Sequence, residues 1–385
     1  MVIADDLSGA ADAVAGYGSA YSAAVVLDSE GQWPDAEILA IDTESRYLPA
    51  SEAAAVVAQV VRRALTGRRR VFKKIDSLLR GHVGVEIAAA LVEMTDGGVG
   101  LALIAPAFPA NGRTTVDGVV HVNGLANTRG DFNGSIKQAL AMSGLEVGAV
   151  LATAGQTPEA LAAQLRRMMK RGINAAIFDA VSDAELLAVV HAADLVDAPT
   201  LLAGSGGLAS QIAPRLEHAG SGPIEYPQGL RTLVVIGSYS ALAQAQRRAL
   251  VDAGVRHVIV DHSSLLTPMV PRDLAHAIDE GDVVLTPDSA VRLDKSQARL
   301  VARALAIAAV AVIDRCDALV LTGGETARAV LHELGTVHMR VIRELGAGIV
   351  LSQVSIDLPL VVTKAGAFGD ADTLVRAIEL LKKTH

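Results

Sequence analysis

The stretch that decides the fold is VFKKIDSLLRGH, residues Val71–His82. It starts as a short apolar strand, and the alanine-rich segment after it, from Val83 to about Met94, has the pattern of a helix. Two cations, a carboxylate, a hydroxyl, a guanidinium and a turn-forming glycine lie between them. In an α/β chain these groups fall at the carboxyl end of a strand, where open parallel sheets bind ligands.

The polar residues of this stretch suit a small anionic ligand. Arg80 has a planar guanidinium that binds carboxylates and phosphates through two hydrogen bonds, and Lys74 and Ser77 add a charge and a hydroxyl. The alternative interpretation is a solvated polar loop that happens to follow a strand. The recurrence of polar residues at other predicted strand ends disfavours that alternative.

The composition indicates an α/β protein with two domains. The chain has 385 residues, of which 51% are hydrophobic and 3% aromatic, and one core rarely serves a chain of this length. Its Val/Ile/Leu runs are typical of parallel strands that helices cover on both faces. We therefore predict two α/β domains with mostly parallel sheets. The Gly- and Pro-rich segment from Glu217 to Leu230 is the best linker, which places the domains at residues 1–222 and 223–385.

Charge and cysteine content narrow the range of partners. A net charge of −8 disfavours nucleic acid and anionic membrane surfaces. Cys316 is the single cysteine, and we expect its thiol to be buried and inert. The sequence has neither a signal-peptide pattern nor an apolar run long enough to span a bilayer. We expect a soluble, cytoplasmic protein that acts on small molecules.

Other predicted strands of the N-terminal half also end in polar residues. Asp5 and Asp6 follow the first strand, Arg46 closes the segment DTESR, and Asn111 and Arg113 lie on a loop stiffened by two prolines. One aspartate could merely cap the helix that follows. The functional interpretation is a carboxylate that orients or deprotonates a substrate hydroxyl. Four such strand ends predict a binding site at one edge of the sheet.

Glycine turns follow strands in the C-terminal half. Exposed backbone N–H groups at such turns, and the dipole of a helix that begins there, favour phosphate binding. Lys364 adds a positive charge after the last strand. No Gly-Lys-Ser/Thr or Gly-x-Gly-x-x-Gly motif occurs, which disfavours a Walker A loop and a standard dinucleotide fold. The glycines of these turns are Gly323, Gly324, Gly346, Gly348, Gly366 and Gly369.

Glu325 and Thr326 follow the first glycine pair and complete the predicted phosphate turn. Glu325 would repel a phosphate unless a cation lies between them. Mg²⁺ would supply that cation, and Glu325 would then be an indirect metal partner. The sequence does not identify the direct metal ligands.

Taken together, these motifs resemble the four-carbon acid sugar kinase family over nearly the whole chain. Two departures occur: Ser8 stands where members usually carry Thr, and Gly348-Ile-Val stands where a Gly-Val-Pro-like turn is usual. The matching segments are ADDLSGA (4–10), DTESR (42–46), KIDSLLRG (74–81), PAFPANGR (106–113), GS (237–238), GGET (323–326) and KAGAFG (364–369).

The resemblance implies an N-terminal domain that binds a sugar acid and a C-terminal domain that binds ATP, with both ligands at the cleft between the domains. It implies phosphorylation of a terminal hydroxyl on threonate, erythronate or 3-oxo-tetronate. By motif match, the residues at the sugar acid are Asp6, Arg46, Lys74, Ile75, Asp76 and Ser77. Those at ATP are Ser238, Gly346, Ala347, Gly348, Ile349 and the loop 364–369.

The leading hypothesis is therefore a kinase that uses Mg²⁺-ATP. Arg46, Lys74 and Arg80 would hold the carboxylate and hydroxyls of the substrate, and Asp6 or Asp76 would act on the attacking hydroxyl. We favour Asp6, since Asp76 stands between Lys74 and Arg80 like a member of an ion-paired loop. Closure of the domains would exclude water.

Two hypotheses from other classes remain open. A sugar-acid dehydrogenase would need a dinucleotide fingerprint and a hydride-transfer site, and the sequence shows neither. A non-catalytic sensor would bind a sugar acid without forming ADP. The Ala- and Val-rich helices leave room for an interface between two copies, so a homodimer is a further open alternative.

Overall fold

The computed structural model describes residues 1–212, 230–261, 269–288, 297–346 and 348–383. The chain forms two compact units. Within the described ranges, unit 1 contains residues 1–14, 28–32 and 38–212, and unit 2 contains residues 15–27, 33–37 and everything from residue 230 onward. The boundary predicted between residues 222 and 223 lies outside the described residues and stays a prediction.

Strands and helices alternate along most of the chain. The described strands are β1 (Val2–Ala4), β2 (Ala23–Val26), β3 (Ile38–Asp42), β4 (Phe72–Lys74), β5 (Leu101–Ala105), β6 (Arg113–Val116), β7 (Val119–Val122), β8 (Leu125–Ala126), β9 (Leu151–Ala152), β10 (Ala175–Asp179), β11 (Thr200–Gly204), β12 (Thr232–Ile236), β13 (Arg256–Val260), β14 (Val283–Pro287), β15 (Ala318–Thr322), β16 (His338–Gly346), β17 (Ile349–Gln353) and β18 (Leu360–Lys364). The helices are α1 (Leu7–Val14), α2 (Ala50–Thr66), α3 (Val83–Thr95), α4 (Ile136–Leu140), α5 (Pro158–Met169), α6 (Asp183–Asp194), α7 (Gly206–Ile212), α8 (Ala241–Asp252), α9 (Leu274–Glu280), α10 (Ala298–Val310), α11 (Gly324–Glu333) and α12 (Thr373–Lys383).

The main sheet of unit 1 is parallel and has the order β3-β1-β4-β11-β5-β10-β9. Its central strands are continuous apolar runs, and β5 is buried along its whole length. Ala4 pairs with Asp42, and Gly204 pairs with both Lys74 and Ala105. The carboxyl ends of five neighbouring strands therefore lie at one level. The predicted α/β class with mostly parallel strands is confirmed.

A small antiparallel sheet, β6-β7-β8, is attached to unit 1 through Thr115. The Thr115 backbone N–H donates to the Ala180 carbonyl at 2.9 Å, and the Ala180 N–H donates to Thr115 Oγ1 at 2.8 Å. Thr115 is fully buried, so these contacts hold β6 against the end of β10. Arg113 is the first residue of β6, so the position of this small sheet fixes the position of Arg113.

The sheet of unit 2 is mixed, with the order β13-β14-β12-β15-β18-β17-β16-β2. The first five strands are parallel and the other three pair antiparallel. Ile236 pairs with Thr322, which pairs with Lys364, so three parallel strands end together here as well. The last strand, β2, comes from the N-terminal part of the chain and pairs with β16.

Two further observations concern the expected environment. Cys316 is buried as predicted, and burial raises the pKa of its thiol to about 12, so the group stays protonated. Among the residues that the structure describes, no helix is long and apolar enough to cross a membrane.

Candidate active site

The aligned strand ends of unit 1 bring together side chains that lie far apart in the sequence. Asp5 and Asp6 follow β1, Arg46 lies in a 3₁₀ turn after β3, and Asp76 follows β4 by two residues. These strands are neighbours in the order β3-β1-β4. Four of the predicted site residues therefore meet at one edge of the sheet.

Arg46 is the link between the three carboxylates. Its Nε and Nη2 donate to the two oxygens of Asp5 at 2.7 and 2.9 Å, and Nη2 also donates to Asp6 Oδ1 at 2.9 Å. Asp76 Oδ1 lies 3.9 Å from the same Nη2. Burial would raise the pKa of Asp5, but the Arg46 guanidinium outweighs it and the pKa lies below its usual value. Asp5 therefore orients Arg46, and its predicted contact with the substrate stays a prediction.

Asp76 accepts hydrogen bonds from the turn that follows it. Arg80 donates from Nε at 3.0 Å and from Nη2 at 2.6 Å, and the backbone N–H groups of Leu78 and Arg80 donate at 2.9 and 3.2 Å. Burial alone would raise the pKa of Asp76, whereas Arg80, and then Arg46, hold it far below its usual value. With four donors on its two oxygens, Asp76 is a weak base.

Asp6 is the most open of the three carboxylates. Its side chain is 18% exposed, against 4% for Asp5 and 8% for Asp76. Oδ1 accepts from Arg46 and from the Gly9 N–H at 3.0 Å, and Oδ2 accepts from the Ser8 hydroxyl at 2.7 Å. Three donors thus orient a carboxylate that solvent still reaches.

The two lysines of β4 have different surroundings. Lys73 is fully buried and forms an ion pair with Glu86 of α3 at 2.7 Å. Lys74 is also buried, but its ammonium donates to the Ile75 carbonyl at 3.2 Å and forms no ion pair with any carboxylate in the described part of the chain. A Cβ placed on Gly9 would lie 3.2 Å from Lys74 Nζ and 2.6 Å from Asp6 Oδ1, so both groups border Gly9.

Buried donor atoms without partners occur on the loop that leads into β6. Among the described residues, Asn111 Nδ2 and Arg113 Nε are buried and make no hydrogen bond. Burial lowers the pKa of Arg113, while Asp76 acts in the opposite direction and Arg80 in the same one. Arg113 therefore lies within electrostatic range of the Asp76–Arg80 pair, as the sequence predicts. An anionic ligand would satisfy these donors.

Ile75 and Ser77 lie in the same stretch, and both residues are buried. The Ile75 N–H donates to the Gly204 carbonyl at 2.8 Å, which extends the strand pairing, and its side chain is buried. Ser77 is buried as well. Their predicted contact with the substrate stays a prediction.

The sequence analysis did not predict the Lys73–Glu86 pair beneath this site or the close approach of Gly81 to Asp5. Gly81 has a φ of +83°, and a Cβ there would lie 2.7 Å from Asp5 Oδ2. Only a residue without a side chain lets the turn pass so close to the buried carboxylate. The Arg-Gly step at residues 80–81 was the available signal, whereas the Lys73–Glu86 pair has no signal in the local sequence.

In unit 2 the predicted nucleotide loops follow strands that end together. Gly323 has a φ of +91° and precedes α11, whose first residue is Gly324. A Cβ on Gly366 would lie 3.6 Å from Gly323 Cα, so the two turns are adjacent. Ser238 follows β12, and its hydroxyl accepts from the Ser240 N–H at 3.2 Å. The structure thus brings three of the predicted loops to one edge.

Lys364 lies at this edge as a buried ammonium. Nζ donates to the Ala365 carbonyl at 2.8 Å and, within the described ranges, forms no ion pair. Burial lowers its pKa to about 8. Thr326 is packed against Gly237, the residue that follows β12, while Glu325 on the same helical turn is exposed. The edge therefore presents a cation beside the amino end of a helix.

The remaining predicted nucleotide residues lie in the β16–β17 hairpin and in the turn before α12. Gly346 pairs with Ile349 in the β16–β17 hairpin, and the Gly348 N–H donates to Glu344 Oε1 at 3.2 Å. The Ile349 side chain is packed in the core. Ala347 lies outside the described residues. Gly369 has a φ of +84° and packs against the hydroxyl of Thr373.

Metal ligands do not emerge from the geometry. In the described part of the chain, no group of three or more His, Cys, Asp or Glu side chains is arranged to hold a metal ion. A Mg²⁺ ion that enters with nucleotide phosphates needs one or two protein carboxylates, and often keeps its waters.

Comparison with known proteins matches the two parts of the chain to two different domain families. Residues 1–212 match the family described as a sugar-binding N-terminal domain, and residues 233–374 match a nucleotide-binding C-terminal domain. The chain is 31% identical to a D-threonate kinase of Cupriavidus necator, over 100% of this chain and 98% of that protein. It is 29% identical to a 3-oxo-tetronate kinase of Methylobacterium radiotolerans, over 90% of each. A crystal structure from Salmonella typhimurium LT2 shares the fold, with a TM-score of 0.78 at 21% identity over 98% of each chain.

The contact between Gly81 and Asp5 yields a stability prediction. Gly81→Ala introduces a side chain at positive φ and pushes Asp5 away from Arg46, whereas Gly97→Ala meets the same backbone cost at φ +72° with nothing within 4 Å. We expect Gly97→Ala to lower the free energy of unfolding by about 1 kcal/mol, and Gly81→Ala by about 1–3 kcal/mol more. Urea unfolding of both variants measures the difference. Equal losses would contradict the contact.

Proposed function

Because the chain belongs to the four-carbon acid sugar kinase family and is a sugar-acid phosphotransferase, we propose that it uses ATP to phosphorylate the terminal hydroxyl of a threonate, erythronate or 3-oxo-tetronate. The observation that supports this most directly is the cluster at the strand ends of unit 1. There an open carboxylate, Asp6, lies beside a buried ammonium, Lys74, that forms no ion pair with the described residues. A polyhydroxy acid needs this combination of an acceptor for its hydroxyls and donors for its anionic end.

We propose that Lys74, Arg113 and Asn111 bind the carboxylate and hydroxyls of the sugar acid. Lys74 is buried, as are Asn111 Nδ2 and Arg113 Nε, and within the described residues these donors are not engaged with acceptors from other side chains. Arg46 and Arg80 are paired with aspartates in this structure. Their main role in this proposal is to hold Asp5, Asp6 and Asp76, with the remaining N–H groups left for substrate oxygens. Ile75 and Ser77 would line the pocket.

Asp6 is the catalytic residue of the proposal, and Asp76 is the alternative. A group that accepts the proton of the attacking hydroxyl must be reachable and must keep a free lone pair. Asp76 meets neither condition well, because Arg80 and two backbone N–H groups occupy its oxygens. Asp6 Oδ2 accepts a hydrogen bond from the Ser8 hydroxyl, and the side chain remains accessible. Phosphoryl transfer depends mainly on positioning, so accessibility and orientation favour Asp6 over Asp76.

We propose that ATP binds to unit 2 with its phosphates at Gly323, Gly324 and Lys364. The positive φ of Gly323, the amino end of α11 and the buried ammonium all favour negative charge. Mg²⁺ would arrive with the phosphates and neutralise their charge, with Glu325 as an indirect partner. The other proposed nucleotide residues are Ser238, Thr326, Gly346, Ala347, Gly348, Ile349, Gly366 and Gly369.

Two parts of the proposal rest on the sequence alone. Binding of both ligands at a cleft between the domains remains a prediction, and so does a homodimer.

A single assay separates the kinase from its alternatives. Purified protein, Mg²⁺-ATP and each stereoisomer of the four-carbon acids are tested for ADP release with a coupled assay. We expect release with one of these acids, whereas binding without ADP would indicate a sensor, and oxidation of the acid would indicate a dehydrogenase.

The role of Asp6 is tested by Asp6→Asn beside Asp76→Asn. Asp6→Asn keeps the shape and should lower kcat by about 100-fold or more while the sugar acid still binds. Asp76→Asn should instead raise the KM for the sugar acid and lower stability, because it leaves Arg80 without its partner. Steady-state kinetics and calorimetric binding distinguish the two. Near-normal turnover of Asp6→Asn would remove Asp6 from this role.

The role of Lys364 predicts a pH dependence. The pKa of this group is lowered to about 8, so its ammonium loses its proton as the pH rises through that value. Because the charged form would bind the phosphates, kcat/KM for ATP should fall in the same range, since that parameter reports the free enzyme. A pH series at saturating sugar acid measures it, with Lys364→Met expected to flatten the profile. If kcat/KM for ATP stays constant as the pH rises through this pKa, Lys364 is excluded as the phosphate contact.

A further inference from the structure

Beneath the proposed sugar-acid site lies a buried polar network made of Thr43, Ser45, Lys73 and Glu86. All four residues are buried, and Lys73 and Ser45 have no exposed surface. Lys73 lies on β4 and Glu86 on α3, while Thr43 and Ser45 follow β3. None of these side chains reaches the open edge where Asp6 and Lys74 lie, and the proposed reaction uses none of them.

Each donor of the Lys73 ammonium has a partner. Nζ contacts Glu86 Oε2 at 2.7 Å, the Lys74 carbonyl at 2.8 Å and the Ile3 carbonyl at 3.3 Å. An ammonium has three N–H groups, so this one is saturated. It therefore connects the backbones of β1 and β4 with helix α3, and it has no capacity left for a ligand.

Glu86 carries the network to the turn after β3. Its second oxygen, Oε1, accepts from the Ser45 hydroxyl at 2.7 Å. The Ser45 and Thr43 hydroxyls lie 2.7 Å apart, and Thr43 Oγ1 lies 2.8 Å from the Ala4 carbonyl oxygen. Because Ser45 gives its one hydrogen to Glu86, the Thr43 hydroxyl donates either to Ser45 Oγ or to the Ala4 carbonyl. Close polar contacts thus run from β4 through α3 to the β3 turn and on to β1.

Three strand-end anchors of this network are direct neighbours of proposed site residues. Ala4 precedes Asp5, Ser45 precedes Arg46, and Lys73 precedes Lys74. Because the anchors are consecutive with the site residues, a shift of one anchor moves a charged group of the site by a similar distance. Misplacement of a binding group by about 1 Å is enough to lose much of its contribution.

We propose that Glu86 is a positioning residue of the sugar-acid site: through Lys73 and Ser45 it sets the positions of Lys74 and Arg46. The inference rests on the proposed function and adds to it a residue that contacts no substrate. Glu86 joins the two segments because each of its oxygens serves a different one. The Ser45 bond satisfies the second oxygen of the buried carboxylate and also joins α3 to the turn that carries Arg46.

Stability alone is separable from positioning by replacement of both charges. Loss of one partner leaves a buried charge unpaired, whereas replacement of both partners by apolar residues of similar size is often tolerated. The Lys73→Met/Glu86→Leu double variant should therefore fold, yet it lacks the branch to Ser45. Ser45→Ala removes that branch and leaves the ion pair intact.

The experiment compares Glu86→Gln, Ser45→Ala and the double variant with the wild type, with Glu93→Gln as the matched control. Glu93 lies on the same helix and is also ion-paired, to Arg62 at 2.6 Å, but that pair is exposed and remote from the strand ends. Thermal melting checks folding. Kinetics give kcat and the KM for each substrate, and calorimetry gives the Kd for the sugar acid.

We expect the KM and Kd for the sugar acid to rise about 10-fold in the three network variants, with the KM for ATP unchanged. Glu93→Gln should match the wild type in the KM and Kd for the sugar acid and in the KM for ATP. A folded double variant or Ser45→Ala variant with wild-type sugar-acid Kd would overturn the inference, even if Glu86→Gln does not fold. A wild type that binds the acid without releasing ADP would overturn the proposed function alone, and the Kd comparison would still decide the inference. A wild type that binds no four-carbon acid would overturn both.

Discussion

The proposed sugar-acid site of unit 1 depends on the pairing of Arg46 with three carboxylates. Charged groups taken out of water are costly unless they are paired and hydrogen-bonded. Arg46 donates to Asp5 and Asp6 and lies near Asp76, so one guanidinium compensates negative charge from the ends of two other strands. That arrangement exists because β3, β1 and β4 are neighbours in parallel register. The sheet order therefore determines which charges can be buried together.

The same constraint gives the consecutive lysines of β4 opposite roles. Successive side chains of a strand point to opposite faces, so Lys73 and Lys74 cannot share a partner. Lys73 meets Glu86 from α3 and is saturated, while Lys74 borders Gly9 and Asp6 on the side of the proposed site. A motif read as one basic cluster is thus half support and half candidate binding group. Only the placement of α3 distinguishes the two halves.

Much of this organisation could be predicted from the sequence, and the limit is physical. Apolar runs that end in polar residues predicted parallel strands with their functional groups at one edge, because strand ends in such sheets align. Local spacing also indicated the Asp76–Arg80 turn. The Glu86–Ser45 bond joins residues 41 positions apart, and the pairing of β2 with β16 joins segments separated by most of the chain. Neither leaves a trace in a local pattern, since each depends on how whole elements pack.

Asp6 and Asp76 show where the residue type is insufficient. Both are aspartates after parallel strands, and the sequence allowed either to act on the hydroxyl. The four donors around Asp76 come from a tight turn, in which Leu79 has a φ of +65°, that bends the Arg80 guanidinium back onto the carboxylate. The turn after Asp6 instead leads into α1 and leaves one face open. The geometry of the following turn, rather than the carboxylate itself, separates an enclosed aspartate from one that solvent reaches.

A similar arrangement occurs in unit 2, because each unit has a buried lysine at the end of a strand. Lys74 and Lys364 are each the last residue of a parallel strand, and each ammonium donates to the carbonyl of the next residue. Neither has an ion pair among the described residues, although both are buried. One weak intrachain bond leaves two N–H groups of each ammonium in need of acceptors. An anion that supplies them is attracted more strongly in this poorly solvated place than it would be in water, which fits the sugar-acid carboxylate proposed at one lysine and the nucleotide phosphate proposed at the other.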